Sequence, residues 1–377
     1  MENLSHTLLG LTLAKAGLER ATPLATTALV VSSNLPDIDV LSGMNGADSY
    51  IEYHRGFTHS FVGLALLAAA LTIALAFIDR RFRLRRDPFK RPLNPLKIFL
   101  IAYLGGLTHT LLDFTNAYGV RPLLPFDGRW FYGDLIFVVD PWMWLILGST
   151  AAWLTLADSP RSVFSSRFFT HFKRAFWLIA ATGTALAVAL AMRNPPEPQI
   201  AIPFVVRLIW FAGFAIILLG VIFRWGRTGA RLARYSLLAL AIYYAAMFMA
   251  HRSAVERAQN GLPVEGATRV AAWPMPANPL LWQSVTTTND SAYARYVNLA
   301  GNYPQWSKYA LPDPKLINAL RESVEARRFF DFARYTAATV EQREDGYTML
   351  IRDLRFSLRL RAELDRDLTV VSADVRW

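Results

Sequence analysis

Long apolar runs separated by short polar segments dominate the first two thirds of the chain. Runs over 59 to 79, 98 to 115, 135 to 157, 175 to 192, 202 to 223 and 235 to 250 carry few charges. They approach the roughly 20 residues that a helix needs to cross hydrocarbon, and so predict membrane-spanning helices. The segments 4 to 18 and 22 to 35 are shorter and more polar and read as a hairpin packed against the bundle. Beyond residue 251 the pattern changes. FARYTAATVEQ, a turn at Glu344 to Gly346 and YTMLIRDLRFSL alternate apolar and polar positions, which predicts a β-hairpin. WPMPANPLLW, from Trp273 to Trp282, reads as a Pro-rich connector along the membrane, because Trp favours that interface. The fold class expected is mainly α, a polytopic membrane bundle of about six to eight helices over 1 to 250, followed by an extracytoplasmic α+β domain over 251 to 377.

Composition agrees with that pattern. The chain has 377 residues, of which 53% are hydrophobic, and its mean hydropathy is +0.24, more apolar than a water-soluble enzyme of this size. Cysteine is absent, which excludes disulfides and thiolate ligands. The start, MENLSH, lacks the basic region and cleavage site of a signal peptide.

A net charge of +11 raises the question of nucleic acid, and its placement answers it. Residues 80 to 97 hold eight Lys or Arg against one Asp, 158 to 174 carry four basic residues, and 224 to 234 carry four Arg. The intervening loops, 117 to 134 and 193 to 201, are balanced or neutral. Alternating basic and neutral loops follow the positive-inside rule, so the basic loops are expected in the cytoplasm and no nucleic-acid partner is expected. Lys15 and Arg20 then mark a cytoplasmic turn in the hairpin, and residues 251 to 377 follow the last span to the outer side of the membrane.

That topology sorts the polar groups. SHTLLG (His6), LPDID (Asp37, Asp39), HRGFTHS (His54, His59) and HTLLDF (His109, Asp113) all fall at the outer ends of predicted helices, at one depth. Ionisable groups near hydrocarbon are costly and usually pair or bind ions in a bundle interior. The four-residue spacing of His109 and Asp113 puts them on one helical face. Pro36 should stop the second helix and leave Asp37 and Asp39 on one face of an extended turn, while Gly56 should let His54 fold back towards His59. Each piece has a plainer reading alone: a hydrogen-bonded His6, a cap and turn at PDID, an ion pair at HxxxD. Together they predict a divalent metal site, and mixed imidazole and carboxylate ligation suits Zn²⁺, with Mn²⁺ or Fe²⁺ as alternatives. Asp140 before Pro141 is at least as well explained as a helix cap, and His171 and His251 lie off the constellation.

SHTLLG, LPDID, HRGFTHS, GGLTHTLLDFTNAYGVRPLLPF and VVDP resemble the signature of the bacterial inner-membrane, metal-dependent hydrolases of the YdjM-like group, over about residues 1 to 150. The resemblance implies a membrane-embedded metal hydrolase whose ligands are drawn from His6, Asp37, Asp39, His54, His59, His109 and Asp113. The Asp, His and HxxxD order is also similar to zinc-dependent phospholipase C and related nucleases, but the chain has no second HxxxE pair, which argues against a trinuclear site. On this reading Asp37 or Asp39 bridges a second ion or acts as general base. Arg55 and Arg121 would hold an anionic phosphate, and a site at headgroup depth favours a membrane lipid or lipid-linked phosphoester. The rival expectation is a structural metal staple with a partner-binding C-terminal domain.

Overall fold

The computed structural model describes residues 1–156, 202–222, 229–262, 269–301 and 305–377. The N-terminal region is helical. A hairpin of α1 (Asn3–Ala16) and α2 (Ala25–Ser32) leads through a 3₁₀ helix, Leu35–Asn45, to the short α3 (Ala47–Tyr53). After a second 3₁₀ turn, Phe57–His59, come α4 (Phe61–Ile78), α5 (Pro95–Phe114), α6 (Pro141–Leu156), α7 (Phe204–Ile222) and α8 (Gly229–Asn260). Three helices among the described residues are long and apolar enough to cross a membrane: Phe61–Arg86, Pro95–Phe114 and Gly229–Asn260. Their outer faces expose Leu66, Ile73, Phe77, Leu111, Leu238 and Ile242, side chains that a water-soluble bundle would bury. The expected span at 175 to 192 and His171 lie outside the described residues.

The hairpin expected at the N-terminus is present, and α2, with 8 residues, is too short to cross hydrocarbon. Its turn meets the other basic segments at one end of the bundle. Arg234 Nε donates to the Ala16 carbonyl (3.1 Å) and Asn94 N–H to Thr22 Oγ1 (2.8 Å). Among the described residues, the hairpin turn, the segment around Asn94 and Arg234 therefore lie at one end of the bundle, and the polar motifs occupy the opposite end.

Helix α8 runs unbroken past position 250 to Asn260 and carries the fold out of the bundle. Its Met247, Ala254 and Ala258 share a core with Ala272, Trp282 and Val297 of the first of two four-stranded antiparallel sheets. That sheet contains β1 (Arg269–Met275), β2 (Asn278–Thr287), β3 (Ser291–Asn298) and β4 (Ser307–Ala310) in sequence order. The segment Trp273 to Trp282 is thus the β1–β2 hairpin, with both Trp buried, rather than a connector along the membrane. Pro274 is tolerated because β1 is an edge strand whose register shifts there.

Helices α9 (Pro314–Leu320) and α10 (Val324–Phe332) lead to the second sheet, β5 (Thr336–Arg343), β6 (Gly346–Asp353), β7 (Arg359–Asp365) and β8 (Val370–Arg376). The expected hairpin is β5–β6, closed by the Arg343–Gly346 pair. Phe329 and Phe332 of α10, with Met349, Ile351 and Leu360 of this sheet, share a core with Ile51 and Tyr118 of the helical region, so the C-terminal domain rests directly on the elements that carry the polar motifs.

Candidate metal centre

Two adjacent helix ends build the centre. Gly105 lets α5 lie against α2, where any side chain at that position would run into Ser32. That contact brings His109 beside the end of α2, and its Nδ1 lies 2.7 Å from the Ser33 carbonyl oxygen. A carbonyl only accepts, so His109 Nδ1 carries the proton and its Nε2 presents a lone pair. At the start of α4, His59 Nδ1 lies 3.1 Å from Asp39 Oδ2, which fixes the same tautomer. The two Nε2 atoms then face each other at 3.0 Å.

Two carboxylates close the figure. Asp113 Oδ2 is 3.2 Å from each Nε2, and Asp37 Oδ1 is 3.5 Å from each. Donors 2.0–2.1 Å from a tetrahedral ion stand about 3.3 Å apart, and the spacings among these four atoms fall around that value. Asp37, His59, His109 and Asp113 therefore form a group that could hold a metal ion. Lone pairs this close repel without a cation between them. Burial by itself would lower the His59 pKa, but Asp113, Asp37 and Asp39 around it push the value up to about 10, so in the metal-free protein a proton takes the place of a cation.

Asp39 stands behind this group. It accepts from His54 Nδ1 (2.8 Å), Arg55 N–H (3.0 Å) and Thr58 Oγ1 (2.6 Å) as well as from His59. Burial opposes its charge, yet the bonds from His54 and His59 hold its carboxyl well below the usual range. Asp37 is likewise held down against burial by the His109 and His59 rings. The two aspartates do not share a face of an extended turn. They lie in the 3₁₀ helix Leu35–Asn45, where Pro36 occupies the first turn that its fixed φ suits, and residues two apart point in different directions. Asp37, Asp39 and His54 form a second, overlapping group with ligand spacing.

The remaining expected residues are also placed. His6 is buried and stacks on His109 (3.7 Å between ring centroids), with Nε2 3.5 Å from Asp113 Oδ1. Arg55 is buried, with Nη2 on Asp113 Oδ1 (3.0 Å) and Nη1 on Asn116 Oδ1 (2.9 Å). It is Arg55, at φ 59°, that takes the left-handed conformation in the HRG turn. Gly56 is required by close approach instead, since a Cβ there would sit 2.7 Å from the Tyr53 carbonyl. Arg121 stacks on Trp130 (4.6 Å) and donates to the Glu52 carbonyl, lining a cleft of about 330 Å³ with Arg327 and Arg328. Asp140 caps α6, accepting from Trp142 N–H (2.8 Å) and from Tyr243 OH (2.6 Å). His251 packs on Trp282, away from the centre.

Sequence reasoning passed over Asn116 and Tyr118. Both lie in the polar stretch after Asp113, where the helix ends and side chains are free to turn back. Tyr118 sits under the Arg55 guanidinium (4.6 Å), edge-on to His54 (5.5 Å) and against Phe332 (4.6 Å). Arg355, paired with Asp353, donates to the Ala117 carbonyl (2.9 Å), and Arg334 holds Asp134 (2.6 Å). These bonds tie the segments flanking β5 and β6 to the loop that follows α5.

Residues 1–195 match the profile of the YdjM inner membrane protein family. The chain belongs to that family. This YdjM-family chain is also 29% identical over 142 residues to the uncharacterized protein YfhP of Bacillus subtilis (strain 168), a match covering 37% of this chain and 40% of that relative. No solved structure matches it. Residues 1–195, the stretch that matches the family profile, contain all the residues of this chain's candidate centre, from His6 to Asp113.

Proposed function

We infer that this protein is a membrane-bound, metal-dependent hydrolase acting on a phosphoester or lipid-linked substrate at the outer face of the cytoplasmic membrane. One observation carries the reading: four donor atoms converge at ligand spacing, with the outward nitrogens of both histidines already committed. Asp37, His59, His109 and Asp113 would hold the ion, and Zn²⁺ fits the imidazole and carboxylate set best, with Mn²⁺ or Fe²⁺ also compatible. A divalent ion supplies Lewis-acid chemistry there, activating water and polarising a phosphoryl oxygen. Asp39 orients His59 and His54, and Arg55 fixes Asp113. Asp37 is the most exposed of the four side chains and marks the side from which substrate approaches. Arg121, in its cleft beside the HRG turn, is suited to an anionic group.

The donor count favours one second reading. Four protein donors fill a tetrahedral shell, as in structural zinc sites, so the same centre serves equally as a staple between helix ends. Paired measurements on Asp37→Asn separate the two. A hydrolase loses turnover of a phosphoester far more than it loses thermal stability, whereas a staple loses melting temperature and membrane abundance. A wild-type protein inert towards a panel of phosphoester lipids, with a strongly destabilised variant, would sink the hydrolase reading.

A further inference from the structure

The 3₁₀ helix that carries Asp37 and Asp39 has its polarity inside out. A 3₁₀ helix repeats every three residues, so side chains at i and i+3 eclipse one another. Ile38, Leu41 and Met44 therefore line up along one edge, and they are 51%, 59% and 85% exposed. Val40 beside them is exposed as well. The charged side chains in Leu35–Asn45 are Asp37 and Asp39, and these are the ones turned inward, 10% and 6% exposed. A surface helix in water shows the reverse arrangement.

Its neighbours identify the solvent. The helix packs on the Phe57–His59 turn and on the start of α4, where Phe57 and Phe61 are exposed. From there the exposed apolar surface continues along α4 through Leu66, Ile73 and Phe77, the face that a spanning helix presents to acyl chains. We propose that the Ile38, Leu41 and Met44 edge is embedded in the bilayer, at the boundary of headgroups and acyl chains on the centre's side of the membrane. The helix thereby acts as a monotopic anchor that opens the Asp37 side of the centre to lipid instead of bulk water. Resting on the hydrolase reading above, this makes the substrate an amphiphile that reaches the centre laterally with its chains still in the bilayer.

The chain has no cysteine, so a single introduced Cys carries a unique spin label. Leu41→Cys and Met44→Cys are labelled in the full chain in phosphatidylethanolamine and phosphatidylglycerol vesicles, with Ile73→Cys as the lipid reference and Asp345→Cys, in the β5–β6 turn, as the water reference. Power saturation with oxygen and with a water-soluble nickel chelate should place positions 41 and 44 with Ile73, favouring oxygen severalfold over the value at 345. Labels that group with Asp345, or that are shielded from both reagents because protein covers them, overturn the proposal. The readout needs no turnover, so an inert wild type would remove the hydrolase reading while the depth measurement still decides this one.

Discussion

Asp39→Asn separates a ligand from a residue that aims one. The wild-type carboxylate receives four donors: His54 Nδ1 on Oδ1, and Arg55 N–H, Thr58 Oγ1 and His59 Nδ1 on Oδ2. An asparagine of the same shape keeps three of them if its oxygen takes the Oδ2 position and its amide faces His54, which can switch tautomer to accept. The charge is what disappears. His59 then keeps its orientation but loses the anion behind its ring, making Nε2 less basic. Partners of this kind typically contribute about 10- to 100-fold in metal affinity, or roughly 1.4–2.7 kcal/mol. Chelator-buffered titration of the metal-stripped protein in detergent should therefore show weaker affinity by that factor with unchanged stoichiometry at saturation. Two outcomes refute the reasoning. An affinity equal to wild type means that the bond to His59 does not tune the site, and complete loss of binding means that Asp39 is itself a ligand.

The raised pKa of His59, about 10, means that metal must displace a proton below that pH, so apparent affinity should climb about tenfold per pH unit between pH 7 and 9; a flat profile removes the proton from the site. Arg55→Met leaves the buried Asp113 carboxylate without its guanidinium and should destabilise the protein by about 3–5 kcal/mol, read as a large fall in melting temperature; a melting point near that of wild type would show that the pair is not structural. Arg355→Met strips the bond to the Ala117 carbonyl and its pairing with Asp353, so limited proteolysis should cut the C-terminal domain sooner, and unchanged digestion would argue against the clamp. Single cysteines at Ser372 and Asp87 test orientation in intact cells: an impermeant reagent should label the first, and labelling of the second would reverse the topology.

The sequence alone determined the membrane character, the N-terminal hairpin and the strand pair at 336 to 353, because each is written in local periodicity and run length. It also singled out Asp37, His59, His109 and Asp113, which the fold brings within ligand spacing: a histidine or aspartate at the end of an apolar helix is costly enough to mark itself, and alternating loop charge predicts those ends at one level. Roles within the set were decided only by the tertiary structure. Asp37 and Asp39 look equivalent in LPDID, yet the 3₁₀ turn sends one to the paired Nε2 atoms and the other behind His59. WPMPANPLLW reads as an interfacial connector until strand pairing and the end of α8 bury both Trp. Arg55 reads as a free cation for substrate, while the fold sets it between Asp113, Asn116 and Tyr118. In each case the deciding contact joins residues distant in the chain, or depends on a backbone turn that local pattern does not specify, so its energy exists only once the helices, the loop after Asp113 and the second sheet have come together.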